Sequence, residues 1–144
     1  MIAAAVLAAA LIATPHTTPT QEAAVIPVQY REFAACVSER ESHGNYRARR
    51  SEAGSSAAGR WQFIDSDWRH GLAYMVAARL RAHGMGRHQS ATIRVQLQAT
   101  PINRWAPDYQ DIAFIAALNA RGPWSGWRHW YLAGSRCNAL AGAR

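Results

Sequence analysis

Two cysteines near opposite ends of the chain constrain its fold more than any other feature. They are Cys36 and Cys137, and the sequence contains no other cysteine. An even cysteine count favours a disulfide in an exported protein. Such a bridge closes a loop of about 100 residues, nominally worth about 4–5 kcal/mol in the chain-entropy model. We therefore expect one Cys36–Cys137 disulfide, with two buried thiols as the alternative in a reducing compartment.

The first 25 residues, "MIAAAVLAAALIATPHTTPTQEAAV", predict export. Their apolar run is too short to span a bilayer as a helix, but it fits the apolar region of a signal peptide. No Lys or Arg precedes the run, which is atypical of such signals. We expect a signal peptide and flexible segment over residues 1–25 and one secreted domain over 26–144. An apolar N-terminal helix packed on the domain is the alternative.

The charge of the chain predicts an anionic partner. Its 144 residues suit one domain, which we expect to be monomeric. The formal net charge is +7, and every cationic side chain other than histidine is an arginine. Nucleic acid, an acidic membrane surface and an anionic wall polymer are all compatible with this charge.

Helical periodicity predicts a mostly helical domain. The predicted helices cover residues 27–42, 65–84, 90–99 and 108–122. We expect Asp65 or Ser66 to cap the second of these helices, and Asp111 to complete a variant capping box in the fourth. The polar, glycine-bearing stretch that follows the first helix predicts a loop or a short hairpin.

Two glutamates lie one residue apart at the end of the first predicted helix. At 100° per residue, Tyr30, Phe33 and Val37 define its buried face, and Glu41 lies about 40° from that face. Glu39 lies about 200° away, on the side exposed to solvent. The pattern therefore separates two residues that look equivalent in the sequence.

Glu41 is the candidate acid because of this position. Burial and the negative end of the helix dipole both disfavour the ionised form of a carboxyl there, as a proton donor requires. The alternative is an ion pair with an arginine such as Arg60. The sequence neighbour Arg40 is not expected to face Glu41, because adjacent residues point away from each other on a helix.

Three motifs carry a resemblance to a known family. They are "ACVSERESHGN", then "SSAAGRWQF", and finally "AALNARGP". Their order and spacing resemble the lysozyme-like transglycosylase superfamily, and most closely the resuscitation-promoting-factor domains of actinobacteria and their phages. The resemblance implies a mainly α, lysozyme-like α+β fold with a short hairpin after the catalytic helix. His43 departs from the pattern, because it stands where the family often has glycine.

The resemblance also implies roles for six residues. Glu41 would be catalytic, and the expected substrate-binding residues are Ser42, Gly59, Trp61, Gln62 and Asn119. Ser42 would hold Glu41 or an acetamido group, while Asn119 would contact an N-acetyl group or Glu41 itself. The alternatives are core packing for Trp61, loop stabilisation for Gln62 and a polar helix end for Asn119.

The implied reaction is cleavage of the β-1,4 MurNAc–GlcNAc bond of peptidoglycan by a single glutamate. We expect no cofactor and no metal, because His83 and His88 lack a nearby third ligand. Expected partners are glycan strands and anionic wall polymers. A hydrolase normally needs a second carboxylate, for which Glu52, Asp65 and Asp67 are the candidates.

Two other classes of function remain open at this point. A non-catalytic wall-binding module on the same fold would use cleft aromatics, namely Trp61, Trp124, Trp127 and Trp130. A basic nucleic-acid binder is less favoured, because only Arg47, Arg49 and Arg50 cluster and the other arginines are scattered.

Overall fold

The computed structural model describes residues 17–50, 55–121, 130 and 136–140, and this part of the chain is mainly helical. Five α-helices and one two-stranded sheet follow in chain order. They are α1 (Pro19–Ala24), α2 (Arg31–Ser42), β1 (Ala57–Ala58), β2 (Phe63–Ile64), α3 (Asp65–Ala82), α4 (Arg87–Ala99) and α5 (Pro107–Asn119). Short 3-10 turns cover Val28–Tyr30, Ile102–Arg104 and Arg136–Leu140. The predicted mainly α class is confirmed.

Helix α2 places Glu41 one residue before its last position. Phe33 and Val37 are buried on one face of the helix, as the periodicity predicts. The helix ends at His43, which adopts a left-handed conformation at φ 51°, followed by Gly44 at φ 76°. The left-handed turn therefore begins at a histidine, one of the residue types that tolerate positive φ, rather than at the expected glycine.

The short hairpin is also confirmed. Strands β1 and β2 are antiparallel, with Ala57 opposite Ile64 and Ala58 opposite Phe63. Arg49 forms an isolated bridge with Ala58, which adds a third row to this small sheet. The turn between the two strands is bonded to the C-terminal end of α2, because the Ser42 hydroxyl donates to the Arg60 carbonyl.

Both predicted helix caps are wrong. Helix α3 begins without a side-chain cap, because the Asp65 carboxylate is bound to Arg69 and to the backbone N–H of Ile102. Helix α5 begins at Pro107, also without a side-chain cap. The Asp111 carboxylate binds groups on other elements instead, as described below. At both positions the carboxylate has at least one partner more than 30 residues away in sequence and does not cap its own helix.

The packed domain extends further towards the N-terminus than the sequence predicts. Residues 19–24, expected to be flexible, form helix α1, which packs against α5 and α3. Thr18 and Gln21 cap this helix with a reciprocal capping box. Ala23 is fully buried, and its carbonyl accepts a 2.8 Å hydrogen bond from Arg79 Nε. Residues 1–16 of the predicted signal peptide and flexible segment lie outside the described residues.

The disulfide joins Cys36 of α2 to Cys137 of the last 3-10 turn, as predicted, with Cα atoms 5.5 Å apart. A disulfide is consistent with an extracellular protein. No helix in the described part of the chain is long and apolar enough to cross a membrane.

The aromatic core lies between α2, the hairpin and α5. Trp61 stacks on Phe114 with ring centroids 3.8 Å apart. Trp130 is buried against Phe114 and Phe63, and its indole N–H donates to the Trp61 carbonyl at 2.9 Å. These contacts hold the turn of the hairpin against α5.

Candidate active site

A cavity of about 360 Å³ opens between the end of α2 and the hairpin. We call it the Glu41 cavity. Its described lining consists of Arg40, Glu41, Arg50, Ser55, Ala57, Gln62 and Ile64. Glu41 is the only carboxylate among these lining residues. The volume lies within the range of small-ligand sites in proteins, near its lower end.

The two adjacent glutamates differ in exposure as predicted. The Glu41 side chain is 14% exposed and lines the cavity, whereas the Glu39 side chain is 73% exposed. Glu39 forms a surface ion pair with His43 at 2.9 Å. Helical periodicity therefore identified correctly which of the two carboxylates points inward.

Two arginines contact the Glu41 carboxylate. Arg40 donates to Oε1 from Nε at 3.0 Å and from Nη2 at 2.5 Å, and Arg50 Nη2 lies 4.0 Å from Oε2. The expectation that Arg40 faces away from Glu41 is wrong. A long side chain at a helix end can fold back over its neighbour, which the angular argument ignores. The suggested partner Arg60 binds elsewhere.

Gln62 lines the same cavity as Glu41. Its backbone has a positive φ of 50°, and its side-chain amide donates to the Gly59 carbonyl at 2.9 Å. The predicted loop-stabilising contact is therefore present, while the side chain also borders the cavity. The fold brings together two motif residues from separate segments of the chain.

Gly59 is required by packing inside the protein. Its φ is +79°, and a Cβ added there would collide with the side-chain amide of Gln110 and lie 3.3 Å from Ile102 Cγ2. Gln110 is fully buried, accepts from the Arg60 N–H at 2.9 Å and donates to the Tyr46 carbonyl at 3.0 Å. The close approach at Gly59 is made by this glutamine, whereas the resemblance implied a glycine that lets the backbone approach the substrate.

Ser42 anchors the hairpin turn to α2. Its hydroxyl donates to the Arg60 carbonyl at 2.7 Å, and the Ser38 carbonyl lies 3.3 Å away. The side chain is buried, and its described hydrogen bonds go to the backbone rather than to Glu41. Ser42 thus fixes the spacing between the end of α2 and the turn.

The prediction that Trp61 stacks on a sugar is wrong. Its side chain is 0% exposed, stacks on Phe114 and donates to Asp111 at 3.0 Å. Trp130 is equally buried. The alternative of core packing is therefore confirmed for Trp61, and Trp130 also lies in the core rather than in a cleft. Trp124 and Trp127 lie outside the described residues.

Asn119 lies away from the Glu41 cavity. It is exposed at the end of α5, where its amide donates to the Ile115 carbonyl at 2.8 Å. It lines a different cavity, which lies between α3 and α5 and is also lined by Met75 and Arg79 of α3. The predicted contact with Glu41 is absent, and the alternative of a polar helix-end residue describes Asn119 correctly.

A second charged cluster was missed as such in the sequence. We call it the Asp111 network, made of Ser38, Tyr46, Arg60, Trp61 and Asp111. The Asp111 carboxylate accepts from Tyr46 at 2.8 Å and from Trp61 at 3.0 Å, and Arg60 Nη1 lies 3.6 Å away. Arg60 also donates to the Tyr46 hydroxyl at 2.6 Å and to Ser38 at 2.7 Å.

Burial dominates the electrostatics of this network. It raises the pKa of Asp111 above its ordinary value, although the donors of Tyr46 and Trp61 and the charge of Arg60 act in the opposite direction. Burial and the hydrogen bond to Asp111 raise the pKa of Tyr46 to about 12. The only signal in the sequence was an acidic residue directly before the apolar run of residues 112–118.

Metal ligands do not cluster in the described residues: no group of three or more His, Cys, Asp or Glu side chains is placed to hold an ion there.

Comparisons with protein-family models, curated proteins and solved structures found no match to this chain. The resemblance to lysozyme-like transglycosylases therefore rests on the motifs themselves. The structure brings Glu41 and Gln62 together and places Asn119 elsewhere.

Proposed function

We propose that this protein is a muralytic enzyme with a lysozyme-like fold that cleaves the β-1,4 MurNAc–GlcNAc bond of peptidoglycan. The observation that carries the proposal is the Glu41 cavity. A partly buried glutamate at a helix end lines it together with Gln62 from the following hairpin. This is the meeting of motif residues that the resemblance to lytic transglycosylases implies.

Glu41 acts as the general acid and then as the base. It protonates the glycosidic oxygen, and the C1–O bond breaks as the leaving sugar departs. The resulting carboxylate then takes the proton of the muramic acid C6 hydroxyl, whose oxygen bonds to C1. The product is a 1,6-anhydromuramoyl end, formed without consuming water.

The distribution of carboxylates supports a single-acid mechanism. A hydrolase normally uses two carboxyl groups that flank the scissile bond. The Asp65 carboxylate is held by Arg69 and Ile102, Asp67 is exposed, and Glu52 lies outside the described residues. Glu41 stands alone among the described cavity residues, so we favour the transglycosylase over the lysozyme-type hydrolase.

The ion pair between Arg40 and Glu41 favours a second candidate, a wall-binding module that does not use Glu41 as an acid. In that case the pair would simply neutralise a half-buried charge. The burial of Trp61 and Trp130 counts against this candidate, because two of its four proposed sugar-stacking aromatics are in the core.

Mass spectrometry of purified peptidoglycan after digestion tests the proposal. Wild type should release fragments ending in 1,6-anhydromuramic acid, and Glu41→Gln should release at least about 100-fold less in the same time. Reducing muramic ends would establish hydrolysis and redirect the search to a second carboxylate. If neither protein released fragments but both bound the wall, the binding module would replace the enzyme.

A further inference from the structure

The described lining of the Glu41 cavity has more positive than negative charges. Two guanidinium groups, those of Arg40 and Arg50, face one carboxylate among its described lining residues. Arg40 binds Glu41 closely, but Arg50 approaches it only to 4.0 Å, beyond hydrogen-bonding distance. At this distance Arg50 can still form a closer contact with another anion.

The backbone that carries Arg50 is fixed. Its N–H donates to the Ala57 carbonyl at 3.1 Å, and the preceding residue, Arg49, pairs with Ala58. The Arg50 side chain itself is 50% exposed. The hairpin therefore positions the base of this side chain at the cavity and leaves its charged end accessible to a ligand.

Arginines in this arrangement suit an oxyanion. The planar guanidinium matches the spacing of carboxylate and phosphate oxygens, and hydrogen bonds between charged partners are stronger than neutral ones. Ser55 and Gln62 add polar groups to the same lining, while Ala57 and Ile64 supply an apolar wall. An uncharged sugar would leave the second guanidinium without a close partner.

We propose that Arg40 and Arg50 form an anion-binding subsite that takes a carboxylate or phosphate substituent of the glycan next to Glu41. This proposal rests on the proposed function and defines its substrate class. The bound anion competes with Glu41 for Arg40, so a charged glycan weakens the ion pair that occupies Oε1. A neutral chitin-type glycan lacks this effect.

Binding of monosaccharides tests the subsite without requiring cleavage. Dissociation constants would be measured by NMR titration for N-acetylmuramic acid, its uncharged lactyl methylamide, N-acetylglucosamine and N-acetylglucosamine 6-phosphate. We expect at least one charged sugar to bind about tenfold more tightly than its uncharged counterpart, as a charge-assisted contact implies. A preference for the muramic acid indicates a carboxylate ligand, and a preference for the phosphosugar indicates a phosphate.

Matched arginine variants separate the subsite from general attraction by the +7 chain. Arg50→Gln should abolish the preference for the charged sugar. Arg87→Gln, an equal change of charge at an exposed position on α4, should retain it. Equal affinities for charged and uncharged sugars, or equal losses in the two variants, would overturn the proposal.

The two proposals can fail separately. If peptidoglycan cleavage depends on Glu41 but charged sugars bind no better than neutral ones, the enzyme stands and the anion subsite is wrong. If wild type cleaves nothing but still prefers a charged sugar through Arg50, the subsite stands and the enzyme is wrong.

Discussion

The Glu41 cavity and the Asp111 network each contain a carboxylate near arginine, but the two carboxylates differ in how they are bonded. Each pairs a carboxylate with arginine, and each contacts the segment that links α2 to the hairpin. Both carboxylates accept two hydrogen bonds. Those to Asp111 come from Tyr46 and Trp61 and engage both of its oxygens. Those to Glu41 both come from Arg40 and engage Oε1, while Oε2 has the Arg50 guanidinium 4.0 Å away and the side chain lines the cavity. A carboxylate surrounded by donors stabilises structure, while one that borders a cavity remains available to a substrate.

Glu41→Gln gives the largest expected effect and should separate activity from stability. Without the proton donor, the rate of peptidoglycan cleavage should fall by about 10²- to 10⁴-fold. The free energy of unfolding should change little, because the amide has the same shape and the site borders solvent. Release of soluble muropeptides and urea denaturation would measure the two quantities.

Glu39→Gln is the matched control for this change, because Glu39 lies on the same helix with its side chain exposed. It should leave both cleavage and stability close to wild type. Wild-type cleavage by Glu41→Gln would contradict the mechanism.

Asp111→Ala, in contrast to Glu41→Gln, should lower the stability of the fold. It leaves the hydroxyl of Tyr46 and the indole N–H of Trp61 without their acceptor, and removes the carboxylate near Arg60. We expect a loss of about 2–4 kcal/mol in the free energy of unfolding. Urea denaturation followed by circular dichroism would measure it.

Asp108→Ala is the control, because it makes the same substitution at another aspartate, in the first turn of α5. It should lower the free energy of unfolding by no more than about 1 kcal/mol. Equal losses in the two variants would mean that the Asp111 network contributes no special stability.

Gly59→Ala tests the turn that lies between the two regions. The added methyl collides with Gln110, and the alanine must adopt a positive φ. We therefore expect a loss of about 1–3 kcal/mol in the free energy of unfolding. Gly86→Ala is a useful control, because a Cβ there meets no atom within 4 Å. Thermal unfolding of the two variants would measure the difference. If Gly59→Ala were as stable as wild type, the packing role of this glycine would be wrong.

Tyr46→Phe should produce the smallest effect, visible as a change in pH dependence. The pKa of Tyr46 is raised from 10.0 to about 12 in the fold, so the folded protein retains a proton that the unfolded chain loses. This contribution to stability is fully present below pH 10 and is lost as the pH rises towards 12. Unfolding free energies measured across this range should decline more steeply in wild type than in Tyr46→Phe.

Tyr74→Phe changes an exposed tyrosine and is the control. Its free energy of unfolding should decline with pH as steeply as that of wild type. Parallel declines in wild type and Tyr46→Phe would show that Tyr46 titrates normally.

Local patterns in the sequence were sufficient for helices α2 to α5, the short hairpin, the disulfide and the inward direction of Glu41, but not for α1. Helical periodicity depends on apolar side chains that recur along one face, and this holds whatever the helix packs against. Asp65 and Asp111 show the limit of local rules. Both fit a capping pattern, but Asp65 binds Arg69 of its own helix and the backbone N–H of Ile102. Asp111 accepts instead from Tyr46 and Trp61, which precede α3.

Short-range spacing was therefore enough to predict the mainly α class and to single out Glu41 as the candidate acid. The position of Trp61 in the core, that of Asn119 at another cavity, and the approach of Arg40 and Arg50 to Glu41 could be seen only in the folded protein. These outcomes depend on which surfaces are brought together when helices and hairpin pack. That arrangement is set by the sum of many long-range contacts rather than by the residues around any one position.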